Sequence, residues 1–180
     1  MSGDAEEQIV QARIVWRRWA TPPYAACVAA LGYAALKAYW GAGGTGLLDT
    51  VSLTSNDEIT ANPWFVAFGL WGTAALAVAG VAITLAMVRP WGRAFPRWML
   101  LVPAWFGCTL LVPRGVLGFV SDVLLLTGVK PTYGAGATAA DVHRWAYWDL
   151  LFYSPLFLVW GVTLAVTAWS YGRRTRRPRE

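Results

Sequence analysis

The chain has 180 residues, of which 57% are hydrophobic and only 14% charged, with a net charge of +5. Long apolar runs with so little charge exclude an ordinary soluble domain and point to an integral membrane protein. In a soluble chain the positive balance would raise nucleic acid as a partner, but here it lies at the flanks of the apolar runs and reads as membrane topology.

Residues 1–21 form an amphiphilic lead, acidic at Asp4, Glu6 and Glu7 and then basic at Arg13, Arg17 and Arg18. Ile9, Val10, Ile14 and Val15 recur at helical spacing, so the lead is expected to lie at the membrane interface. It is acidic before it is basic and no small-residue cleavage site follows, which favours an uncleaved first helix over a signal peptide. Four apolar stretches then make up a transmembrane domain over 22–171, each at least the roughly 20 residues a span needs and the third long enough to tilt or protrude. The first, about 22–42, opens at Pro22-Pro23, acceptable at a helix start, and ends in Gly41-Ala42-Gly43-Gly44. The second runs about 64–88 and the third about 98–126, with Pro103 and Pro113 as expected kinks. The fourth runs about 147–171, with Ser154-Pro155 as another kink, and a basic tail follows over 172–180. The fold expected is therefore all-α, an integral membrane four-helix bundle.

Eleven of the fifteen Lys and Arg residues fall in the lead, in the connection bearing Arg89, Arg93 and Arg97, and in the tail. The opposite loops carry only Lys130 and Arg144. The positive-inside rule then puts both termini in the cytoplasm of a multi-pass cell-membrane protein. Trp16, Trp19, Trp91, Trp98 and Trp169 are expected to mark the inner interface, and Trp40, Trp64, Trp145 and Trp148 the outer one.

Charges inside the apolar stretches are where chemistry would sit, because placing one in hydrocarbon costs about 3 kcal/mol or more. At a rise of about 1.5 Å per residue, Lys37 and Arg114 both lie roughly 20 Å from the inner boundary, with Asp122 about 12 Å above Arg114 and Asp149 near those levels. Lys37 and Arg114 start out leaning toward their helix N-termini and Asp122 leans down toward them, which favours pairing among the four. Three roles fit: a charge network that locks the helices in register, a site for a solute, proton or lipid headgroup, or snorkelling to the interface. His143 lies among Asp141, Trp145, Tyr147 and Trp148 at the outer mouth. It would serve as an interfacial anchor, or with Asp141 and Asp149 as a weak metal site or proton relay. Asp49, Asp57 and Glu58 are solvated loop charges or a closure over that mouth.

Other chemistries are excluded. Cys27 and Cys108 form no C-x-x-C, which disfavours a thiol oxidoreductase and leaves two small buried hydrophobes. The Gly41–Gly46 run follows a membrane helix rather than a strand, so it is a helix terminator and not a phosphate loop. Gly69, Thr73 and Ala77 give the second stretch a small-residue face for packing inside the bundle or in a dimer. No catalytic triad, metal-ligand spacing or cofactor motif is present, and no cofactor is expected.

The run Tyr33-Ala-Ala-Leu-Lys37-Ala-Tyr39-Trp40-Gly41-Ala-Gly43-Gly44 resembles the K-x-Y-W-x-x-G-G signature of a family of small four-span bacterial membrane proteins, actinobacterial in type, of unknown function. The resemblance implies a four-helix membrane fold and transfers no activity. The candidate ligand-binding residues are Lys37, Arg114, Asp122, Asp149 and His143, with Tyr39 and Trp40 from the motif. The expectation is a binding or transport-accessory protein for a small anionic, polar or lipid-like ligand, or else a structural or regulatory subunit. Its partners would be the bilayer and either a second copy or another membrane protein. An enzyme with His143 or Asp149 as acid/base is the weakest alternative.

Overall fold

A computed structural model describes residues 3–50, 62–129 and 138–175, with the backbone alone for 3–20, 49 and 139. Asp57, Glu58, Lys130 and the arginines from 176 onward lie outside the described residues, as do the side chains of the lead.

Four long helices make up the described chain, with no strand among the described residues. Helix α1 spans Gly3–Gly41. Helix α2 spans Phe65–Val88 and is π-helical over Phe65–Gly72 before becoming regular at Thr73–Val88. Helix α3 spans Arg97–Leu126. Helix α4 joins Ala139–Trp148, a π-helical stretch Asp149–Tyr153 and Ser154–Arg174. Three of them, α2, α3 and α4, are long and apolar enough to cross a membrane. Helix α1 is not among these; Tyr24, Tyr33, Tyr39 and Lys37 dilute its alanine-rich apolar stretch.

Two boundaries differ from the sequence expectation. The lead and the first stretch form one helix that runs through Pro22 and Pro23 rather than starting there. Each proline removes one backbone donor, but its fixed φ suits a helix, and Pro23 is buried where the ends of α2 and α4 meet α1. Helix α4 also begins well before residue 147. Thr138 and Asp141 close a capping box, with the Asp141 amide donating to Thr138 Oγ1 at 3.3 Å and the Thr138 amide to Asp141 Oδ2 at 3.4 Å. Helix α2 starts as expected: Asn62 Oδ1 accepts from the amides of Trp64 and Phe65 at 3.1 and 3.3 Å, with Pro63 between.

The helices run up and down. At one end Pro22 and Pro23 of α1 meet the end of α2 and the last turns of α4, while Arg97 at the start of α3 bonds to Gly172 in α4. This is the basic end, closed between α2 and α3 by a tight 3-10 turn at Pro90–Ala94. At the other, the loop end, Trp71 of α2 donates to Gly41 O at 3.1 Å and Thr50 meets the Tyr153 hydroxyl at 3.0 Å.

Packing is inverted relative to a soluble protein. The central core uses small side chains: Ala26, Ala30 and Ala34 of α1, Ala77 of α2, Ala104 and Cys108 of α3, and Ala168 of α4, with Trp160 and Leu164 as its bulk. The large apolar side chains face outward, among them Val28, Phe68, Leu76, Phe106, Leu117 and Leu151. Small residues let helix backbones approach where lipid offers no hydrophobic drive, and an apolar exterior suits hydrocarbon. Ala77 belongs to the core and Thr73 lies within hydrogen-bond reach of Tyr33 on α1, so this small-residue face is used within the bundle.

Candidate functional site

Pro155 has no amide to donate, and the chain before it loosens into a π turn in which the Ser154 amide bonds to Asp149 O. Bonding five residues apart stacks positions 149 and 154, and the Ser154 hydroxyl donates to Asp149 Oδ2 at 3.1 Å. Arg114 of α3 completes the group with a two-pronged contact to the same carboxylate. Its Nη2 donates to Oδ1 at 2.7 Å and its Nη1 to Oδ2 at 3.2 Å.

Gly118 makes that reach feasible. A Cβ there would collide with the Arg114 guanidinium and the Ser154 hydroxyl and stand 2.9 Å from Asp149 Oδ2. Arg114 therefore bends one turn toward the loop end, against the lean of its Cα–Cβ bond, and does not point the way the sequence geometry suggested. Asp122 lies one side chain further along α3, 1% exposed, with its carboxyl within hydrogen-bond reach of that of Asp149. Its Oδ2 has no hydrogen-bond partner among the described residues. One guanidinium thus serves two adjacent carboxyls, and it is fully engaged with only one.

Lys37 stands apart from this group. Its ammonium lies 5.6 Å from the Tyr33 ring centre and 5.2 Å from that of Trp40, and it has no carboxylate partner among the described residues. An aromatic bridge separates the two cations: Tyr33 meets Phe157 edge to face at 5.4 Å, and Phe157 lies 5.3 Å under the Arg114 guanidinium. The expected pairing among all four charges thus holds for Arg114, Asp149 and Asp122 but does not include Lys37. Tyr33 and Trp40 sit four residues before and three after Lys37, on its own helix face, and this spacing was visible in the sequence.

The K-x-Y-W-x-x-G-G run is the C-terminal cap of α1. Gly44 N donates to Tyr39 O at 2.9 Å and Gly43 N to Trp40 O at 3.0 Å, with Gly43 at φ 94°. The Tyr39 ring fills the place of a Gly44 side chain, and its hydroxyl accepts from Gly46 N at 3.3 Å. Trp40 was expected in the outer aromatic belt, but it is 2% exposed and donates from Nε1 to Gly46 O at 2.8 Å. The folded-back loop buries it. Trp64 and Trp148 are exposed at that end, as a belt requires. Tyr39 is exposed and Trp40 buried, and of these two it is the Trp40 ring that the Lys37 ammonium meets.

His143 is exposed on the first turns of α4. Asp141, its neighbour in the sequence, is occupied by Thr138 Oγ1, which donates to its Oδ2 at 2.6 Å, and by Arg144 at 3.1 Å. The His143–Asp141–Asp149 grouping considered from sequence does not assemble: Asp149 is buried at Arg114, and no metal-holding cluster occurs among the described residues. Ser154, Gly118, Tyr33 and Phe157 belong to the site although the sequence marked none of them as a site residue; Ser154 stood out only as a kink and Tyr33 only at the start of the motif run. The pairing of Ser154 with Asp149 was hidden by its five-residue spacing, which an ordinary helix would place on different faces.

Residues 30–164 match the family model described as a protein of unknown function (DUF3995), and this range holds Lys37, Arg114, Asp122 and Asp149. No curated protein and no solved structure matches the chain.

Proposed function

The chain belongs to the DUF3995 family of proteins of unknown function, and from its geometry we propose a multi-pass membrane protein that binds a small anionic, carbonyl-bearing or lipid-like ligand at Lys37. In this reading α1 crosses the bilayer with the other three helices, the basic end faces the cytoplasm, and the site lies in the outer half. One observation carries the proposal: the Lys37 ammonium, within an apolar stretch, has two aromatic faces and no anion among the described residues. A cation held there without a partner is costly, and an acceptor group from a ligand would offset that cost. The Arg114 side chain is 44% exposed beside its contact with Asp149.

A second reading, a structural or regulatory subunit, is favoured by a different observation. The Arg114–Asp149–Ser154 group is closed on itself and joins α3 to α4. These two readings divide the residues between them: Arg114 and Asp149 set helix register, and Lys37 meets the ligand.

A thermal-shift screen of the detergent-purified protein against short carboxylates, fatty acids and glycerophosphates tests the proposal. At least one class is expected to raise the melting temperature of the wild type and to have no effect on Lys37→Gln. A screen in which no class stabilises the wild type, or in which Lys37→Gln responds equally, contradicts it.

A further inference from the structure

At the basic end α3 and α4 leave a groove of about 300 Å3 between them. Its mouth carries two guanidiniums, Arg97 in the first turn of α3 and Arg173 in the last turn of α4. No acidic side chain among the described residues lines the groove. Arg97 donates from Nη2 to Gly172 O at 2.8 Å and from Nη1 to Thr175 O at 3.5 Å, so the end of α4 fixes its plane. Its Nε is buried and has no acceptor among the described residues. Arg173 lies over the Trp169 ring at 5.1 Å.

Below the mouth the walls turn apolar, with Leu101 and Trp105 on α3 and Ala168 and Trp169 on α4. From Arg97 to Trp105 is a descent of roughly 12 Å along the helix. The groove thus passes from positive charge to hydrocarbon over the distance in which a phospholipid passes from phosphate to acyl chain.

We propose that this groove is a binding site for an anionic glycerophospholipid of the leaflet that meets the basic end, with its phosphate between the Arg97 and Arg173 guanidiniums and an acyl chain along Leu101, Trp105 and Trp169. Charge complementarity supplies the headgroup preference, and guanidinium donors suit phosphate oxygens. The apolar lower wall selects a lipid over a free phosphate ion. The site is independent of Lys37, which lies toward the opposite end of the bundle.

Native mass spectrometry of the purified full chain, offered equal amounts of phosphatidylglycerol and phosphatidylcholine with identical acyl chains, tests this. The wild type is expected to retain phosphatidylglycerol severalfold over phosphatidylcholine. Arg173→Gln, at a side chain with no hydrogen bond among the described residues, is expected to cut phosphatidylglycerol retention about fivefold. Arg174→Gln, one residue on and outside the groove, leaves retention unchanged. Equal retention of the two lipids overturns the proposal, as does an Arg173→Gln variant that keeps its preference or an equal loss in Arg174→Gln. Displacement of the bound lipid by millimolar inorganic phosphate overturns the lipid assignment in favour of a free anion.

Discussion

At the scale of single residues, the contact between Arg114 and Asp149 depends on the hydrogen at the α-carbon of residue 118, because any larger group would occupy the guanidinium's place. Gly118→Ala is therefore expected to destabilise the protein by about 1–3 kcal/mol in thermal or denaturant melts. The cost should largely vanish when Arg114 is already glutamine, because the methyl group then has room; additive losses would contradict this coupling. Arg114→Gln alone strands two adjacent buried carboxyls, and its expected cost is about 3 kcal/mol. Adding Asp122→Asn should restore part of the loss by removing the carboxyl that faces Asp149. An unchanged melting temperature in Arg114→Gln would mean that the pair does not hold the fold. Lys37→Gln is expected to behave in the opposite way. It removes a cation that touches no carboxylate among the described residues, so the melting temperature should stay level or rise while ligand binding is lost.

At the scale of elements, the glycine-rich end of α1 shows why a motif can be plain in sequence while its purpose is not. The residues that distinguish the run are spent on a turn: Gly43 supplies the left-handed backbone, Gly44 accepts the Tyr39 ring, and Trp40 holds the loop at Gly46. Gly43→Ala should cost about 1–2 kcal/mol through its backbone conformation alone. It should also raise amide exchange at residues 44–48; unchanged protection there would show that the turn tolerates a side chain. The apolar lengths of α2 and α3 were legible because hydropathy marks where charge stops and starts. The junction at Pro22-Pro23 was not, since proline permits both a helix start and a strained continuation, and burial of Pro23 by other helices decides between them. The early start of α4 was legible in principle from Thr138 and Asp141, three residues apart. The partner choice of Arg114 was not legible: depth estimates placed Asp122 and Asp149 at similar levels, and only the π turn before Pro155 turns Asp149 and Ser154 together.

At the scale of the whole molecule, small side chains inside and large apolar ones outside fit a chain that is solvated by lipid, with charge concentrated at the basic end and the Arg114–Asp149 pair toward the loop end. The proposed orientation can be checked in intact cells with a membrane-impermeant maleimide. Cysteine placed at exposed Thr45 should label from outside and cysteine at exposed Arg93 should not, while native Cys27 and Cys108 are buried. The reverse pattern would invert the topology, and labelling at neither position would place both ends out of reach. The proposed function turns on Lys37 holding a ligand rather than a helix. Native mass spectrometry of the protein released gently from its own membrane tests this directly. A discrete non-protein mass that survives Arg173→Gln, and so is not the phospholipid of the basic-end groove, is expected on the wild type and absent from Lys37→Gln. A bare chain, or the same mass on wild type and Lys37→Gln alike, would contradict a ligand site at Lys37 and leave the charges to assembly alone.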